Sequence, residues 1–294
     1  MANKTVQVLG VASSIGGPSE TCAQGPLVLQ KSRFANEAPF NKTQLALNWH
    51  EPLVVNSPNK NDLNVFKKQS FYISQFVQQQ VEDKQQFLIL GGDHACAVGT
   101  WSGVLNSLPT DSTFALIWID AHMDAHTLET SPSGNLHGMP VSLLLGKAEH
   151  QLQACCPSRR NISGSDLYMF GIRSFEADEL VLLSKDKVNV FDSERIAQEG
   201  GPIKVLQQLI ETVARCYDYY AISLDLDAMD PADAPGVETQ EPGGMQAVDL
   251  ISAFKGVEFA DNFLGLEIVE FDPGHDEAEK TEKLVFDLVA SIYA

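Results

Sequence analysis

Three short apolar runs, each ending in imidazoles and carboxylates, constrain this chain more than any other feature. Leu88-Ile89-Leu90 passes into Gly91-Gly92-Asp93-His94, and Leu116-Ile117-Trp118-Ile119 passes into Asp120-Ala121-His122-Met123-Asp124. Tyr220-Ala221-Ile222-Ser223-Leu224 passes into Asp225-Leu226-Asp227. Runs this apolar and this short are expected as strands buried on both faces, the environment of a parallel sheet covered by helices. Strands are predicted at residues 6–11, 87–90, 113–119, 167–172, 188–191, 219–224 and 263–269. Apolar residues at helical spacing fall between and after them: Val65 to Val81, Ile203 to Val213 and Leu284 to Ile292. Strands alternating with helices predict an α/β sandwich with a mainly parallel sheet between two helical layers.

In such a sheet ligands bind beyond the carboxyl ends of the strands, where these polar clusters fall. In extended backbone, residues two apart point to the same side, so Asp120, His122 and Asp124 can converge, as can Asp225 and Asp227. A single Asp after a strand is more often a helix cap, and a single His in apolar surroundings more often packs. Carboxylates massed at the mouth of an apolar sheet are different, because their repulsion and desolvation require a counter-charge. Two divalent cations would supply it. Carboxylate oxygens mixed with imidazole suit manganese better than calcium or a thiolate-bound zinc. The candidate metal ligands are therefore His94, Asp120, His122, Asp124, Asp225 and Asp227.

The blocks at residues 91–94, 120–124 and 223–244 resemble, in order and approximate spacing, the signature blocks of the ureohydrolase family of arginases, agmatinases and formimidoylglutamases. The arginase version is the most similar. The resemblance implies an open sheet of about eight parallel strands and a homo-oligomer, trimeric or hexameric. It also implies one manganese held by His94, Asp120, Asp124 and Asp225, and a second held by Asp120, His122, Asp225 and Asp227. A water between two such ions is acidified enough to attack a guanidino or amidino carbon as hydroxide. By the same resemblance Asp124 accepts and passes on the proton, His137 is a proton shuttle, and Glu270 pairs with the substrate guanidinium. In the loop from Ser131 to Gly138, Ser133 and Asn135 are substrate-side residues, with Thr239 another. His126 and Glu176 depart from the arginase pattern, standing where an Asn grips an α-carboxylate and an Asp reads an α-amino group. Arg173 offers a possible anion contact or a surface salt bridge.

L-Arginine is the leading expected substrate, yielding L-ornithine and urea, with agmatine, another guanidino acid or formimidoylglutamate behind it. Two readings from other classes compete. A zinc-dependent, deacetylase-like amide hydrolase needs one ion and leaves the carboxylates of Asp225 and Asp227 without a purpose. A non-catalytic member of the fold would not need competent donors at every ligand position.

The length of 294 residues suits one large α/β domain, residues 1–294, and no stretch has the composition of a linker. With 39 acidic against 20 basic residues the net charge is −19, which repels phosphate backbones and anionic lipid. Nucleic acid and membrane are thus not expected partners, while a small cationic substrate suits the field. Five cysteines, odd in number and without metal-site spacing, together with the lack of a signal-like apolar core near the start, lead us to expect a cytoplasmic protein.

Overall fold

In a computed structural model, residues 4–37 and 45–294 are described. Nine strands among them form one sheet: β1 Lys4–Ala12, β2 Leu45–Trp49, β3 Leu53–Val54, β4 Phe87–Gly91, β5 Phe114–Ile119, β6 Leu167–Ile172, β7 Asn189–Asp192, β8 Tyr219–Asp225 and β9 Phe263–Val269. Their order is β2-β1-β4-β9-β8-β5-β6-β7, with β3 also beside β1. Every neighbouring pair is parallel. All carboxyl ends therefore lie along one edge, and β4, β9, β8 and β5 are adjacent at its centre.

Ten α-helices accompany the described strands: α1 Gly25–Lys31, α2 Leu63–Glu82, α3 Ala97–Ser107, α4 Pro140–Leu144, α5 His150–Gln153, α6 Ala177–Lys185, α7 Ser193–Glu199, α8 Pro202–Cys216, α9 Ala247–Lys255 and α10 Lys280–Tyr293. The two faces of the sheet are legible in β5. Ala115, Ile117 and Ile119 join a core with α1 and α7 to α10, whereas Phe114, Leu116 and Trp118 join one with α2, α3, α4 and α6. This alternation makes both faces apolar, and full burial of each large side chain contributes about 1.5–3 kcal/mol. The helices answer with one apolar stripe each: Val205, Leu206, Leu209, Ile210 and Val213 are the buried positions of α8. Asp62 fixes the start of α2 by accepting hydrogen bonds from Asn64 N and Val65 N. No described helix is long and apolar enough to cross a membrane.

The expected sandwich is thus observed, with two strands more than the sequence pattern suggested. β2 lies at the sheet edge, where Leu45, Leu47 and Trp49 are half-buried between exposed neighbours. Its alternation is that of a strand with one wet face, unlike the apolar runs used to find the others. β3 is two residues long and makes sense only as a partner of Val11 and Ala12.

Candidate metal centre

After β4 the chain turns at once, and glycine permits it: a Cβ at Gly92 would lie 1.9 Å from Ser13 O. The turn brings His94 over the sheet edge. Its Nδ1 stands 3.2 Å from Asp120 Oδ2 and 3.1 Å from both Asp124 Oδ2 and Asp225 Oδ2. Yet this buried nitrogen makes no hydrogen bond, so none of the three oxygens lies where a ring N–H would point. Cis ligands about 2.1 Å from an octahedral ion stand about 3 Å apart, the spacing seen here.

The chain also fixes which His94 nitrogen is free. Nε2 is 3.1 Å from Ser223 Oγ, and the single hydroxyl hydrogen of Ser223 goes to Glu267 Oε2 at 2.7 Å. Ser223 must then accept from Nε2–H, which leaves Nδ1 with a lone pair aimed among carboxylates. The other Glu267 oxygen accepts from Thr100 Oγ1 at 2.5 Å. The His94 ring stacks on Trp118 with centroids 4.2 Å apart and planes 12° apart, and Trp118 Nε1 donates to Asp120 Oδ2.

A second set lies beside the first. His122 Nδ1 is 3.0 Å from Asp227 Oδ2 and 3.6 Å from Asp120 Oδ1, so Asp120 offers one oxygen to each set. Asp225 Oδ1 accepts from Asp227 N, and His122 Nε2 lies 3.5 Å from Glu241 Oε1. Without a cation the charge is poorly tolerated. Burial, then Asp227 and Asp120, pushes the Asp225 carboxyl well above its usual range. Burial also pushes Asp227 up to about 6, with His122 opposing. Lone pair against carboxylate, and carboxylate against carboxylate, is an arrangement that two divalent cations would complete.

Glu270 follows β9, in backbone of positive φ (66°), and its N–H donates to Gly92 O. Glu270 Oε1 accepts from His94 N at 2.8 Å and lies 3.2 Å from His137 Nδ1. Burial works against charge on both groups but is outweighed by their mutual bond. Glu270 is held below the usual carboxyl range, and His137 is raised to about 9.

These groups open into a cleft of about 270 Å³ that all the expected substrate-side residues line: His126, Ser133, Asn135, Glu176 and Thr239. Asn135 Oδ1 accepts from Asn61 Nδ2 at 3.3 Å, leaving its amide hydrogens available. Ser133 Oγ accepts from Asn135 N, leaving its hydroxyl hydrogen available. His126 Nε2 lies 2.9 Å from Glu176 Oε2 and 3.4 Å from Glu179 Oε2, so the two departures from the arginase pattern pair with one another.

Arg173 is neither an anion contact nor a surface salt bridge. Its guanidinium donates to the carbonyls of Asp227 and Glu241 at 2.6 Å and to those of Ala228 and Pro242, which clamps the turn carrying Asp227. Sequence reasoning missed Ser223, Glu267, Glu179, Glu238 and Glu241. Glu267 carried a signal, since a carboxylate inside the apolar run 263–269 needs a buried partner. Glu179 is the third residue of α6, where it reads as a helix cap, Ser223 is a small hydroxyl within β8, and Glu238 and Glu241 sit among loop residues.

The Arginase family model matches residues 4–294. The arginase of Bacillus subtilis strain 168 is 30% identical over 303 aligned positions, covering 99% of this chain and 98% of that one. The arginase of Brucella melitensis biotype 1 is 34% identical over 207 positions, covering 70% of this chain and 67% of that one. The crystal structure of Entamoeba histolytica arginase in complex with L-ornithine superposes with a TM-score of 0.88 at 25% identity, covering 100% of both chains. A match along nearly the whole chain, on a sheet whose central strands end in these imidazole and carboxylate sets, places it among metal-dependent hydrolases of amidino carbon–nitrogen bonds: the chain belongs to the arginase family.

Proposed function

We propose that the chain hydrolyses L-arginine to L-ornithine and urea with two manganese ions, one held by His94, Asp120, Asp124 and Asp225 and the other by Asp120, His122, Asp225 and Asp227. The observation that carries this reading is the buried His94 Nδ1, without a hydrogen-bond partner and converging with three carboxylates at 3.1–3.2 Å. Oxygen and imidazole donors without thiolate favour manganese. The second set, around His122 and Asp227, speaks against a one-zinc, deacetylase-like site. Bound ions would supply an activated water and stabilise the charge developing at the attacked carbon.

The remaining steps fall to this chain's side chains. Glu270, held ionised by His137 and His94 N–H, pairs with the guanidinium and orients its carbon. Asp124 accepts the proton released at attack and passes it to the leaving amine. His137, protonated beside Glu270, then shuttles a proton from solvent to the freed amine, which departs as ammonium. At the mouth, Ser133 and Asn135 present donors and Glu176 a carboxylate, while His126 steadies Glu176. Donors on one wall and a carboxylate on another fit a zwitterionic α-amino-acid end better than the lone ammonium of agmatine. That the Entamoeba histolytica arginase holds L-ornithine supports the same choice. A trimer or hexamer, the cytoplasm, and one domain over residues 1–294 complete the reading.

The test is urea release by manganese-loaded protein from L-arginine, agmatine, 4-guanidinobutyrate and guanidine, with formamide release from formimidoylglutamate alongside. We expect kcat/KM to be highest for L-arginine by at least about tenfold. Preference for agmatine or formimidoylglutamate overturns the substrate, and one tightly bound zinc per chain overturns the metal centre.

A further inference from the structure

Behind the His137–Glu270 pair lies a carboxyl that neither the metal sets nor the cleft lining uses. Glu238, in the loop after β8, has a side chain only 3% exposed, and its Oε2 has no hydrogen-bond partner. Its Oε1 accepts from Ser19 N, and Oε2 stands 4.0 Å from His137 Nδ1. The space for it is cleared by glycine, since a Cβ at Gly17 would lie 2.4 Å from that same Oε2. A buried carboxyl oxygen without a partner is destabilising in a resting protein and calls for a use at another stage.

His137 Nδ1 carries at most one hydrogen, which in this arrangement belongs to Glu270 at 3.2 Å. The guanidinium of the proposed substrate competes for that carboxylate. We infer that Glu238 is a positioning residue, which takes over the His137 Nδ1 hydrogen bond when the guanidinium occupies Glu270. The inference rests on the reading of Glu270 and His137 given above. A shift of the imidazole by about 1 Å brings Nδ1 within hydrogen-bond distance of Oε2. The ring then keeps its orientation, with Nδ1–H held, while it passes a proton to the departing amine.

The surrounding charges favour this exchange. The groups facing Glu238 are Glu270 after β9, His137 after β5, Asp93 after β4, and Lys60 before α2. Burial, then Glu270, pushes the Glu238 carboxyl up to about 9, so Glu270 carries the negative charge beside His137 until substrate arrives. A guanidinium that neutralises Glu270 removes the second of those causes and leaves Oε2 of Glu238 as the nearby carboxyl oxygen able to accept the Nδ1 hydrogen.

Glu238→Gln tests the exchange at nearly constant volume. Ser19 N requires an acceptor, so the amide oxygen takes the Oε1 place and the NH2 faces His137 Nδ1, a donor against a donor. We expect kcat for L-arginine to fall about ten- to hundredfold, with KM within about twofold of the parent and an unchanged melting midpoint. Glu238→Asp, which keeps an acceptor, should recover part of the kcat. Parental kcat in Glu238→Gln overturns the inference, and so does a joint loss of kcat, KM and melting midpoint, which assigns Glu238 to packing. Arginine hydrolysis surviving in His137→Asn or Glu270→Gln would instead overturn the underlying reading of the site.

Discussion

The floor and the mouth of the cleft are built on different principles. At the floor, His94, Asp120 and Asp225 are buried on or just after strands, and each is held by a partner that leaves its ligand atom no choice of direction. At the mouth, Ser133 and Asn135 belong to a loop, and the side chain of Glu176 is 57% exposed. Its carboxylate bonds to His126 and, as the cap of α6, to the backbone of Glu179, rather than to the sheet. Rigid strand ends carrying the chemistry and exposed loops carrying recognition allow the substrate's end group to be renegotiated without disturbing the metals.

The sharpest way to break this comparison is Asp124→Asn. Asp124 has positive φ (48°), which Asn tolerates, so the backbone is spared and only the charge is lost. We expect a loss in kcat on the order of a thousandfold together with weakened metal binding, measured by turnover and by metal analysis. Near-parental turnover would remove Asp124 from both of its roles. One step back from the floor, Glu267→Leu should weaken manganese binding about ten- to hundredfold, because Ser223 then loses the acceptor that fixes the His94 tautomer. Isothermal titration with manganese measures it, and unchanged affinity would mean that stacking on Trp118 alone orients the ring.

At the mouth the effects should be smaller and of another kind. Asn135→Ala is expected to raise KM for L-arginine about tenfold and leave kcat nearly intact, and Glu176→Asp should shift KM only a few-fold. A fall in kcat as large as that of Asp124→Asn would erase the distinction between floor and mouth.

The smallest expected effect is in pH dependence. His137 has its folded pKa raised from 6.5 to about 9, so its stabilising pairing with Glu270 is complete below pH 6.5 and is lost as pH rises through 9. The alkaline limb of kcat/KM should accordingly lie above the ordinary imidazole range, towards pH 9. A limb at the ordinary imidazole pKa would separate His137 from Glu270 in the working enzyme.

Much of the floor was legible in the sequence because its causes are local. The alternation of a strand puts Asp120 and His122 on one side, and carboxylates at the mouth of an apolar run demand a cation wherever that run lies in the fold. The apolar runs likewise announced their strands, whereas β2, with one wet face, did not. Only the tertiary structure decided that β9 lies between β4 and β8. That order brings Glu270 to His94 N across 176 positions and sets Glu267 behind Ser223. It made Arg173, read from sequence as either an anion contact or a surface salt bridge, a clamp on backbone carbonyls, and it set Glu238 behind His137. Chemical type and short-range geometry are written residue by residue, but which buried carboxylate meets which imidazole depends on strand order, and strand order is settled by packing of the whole sheet.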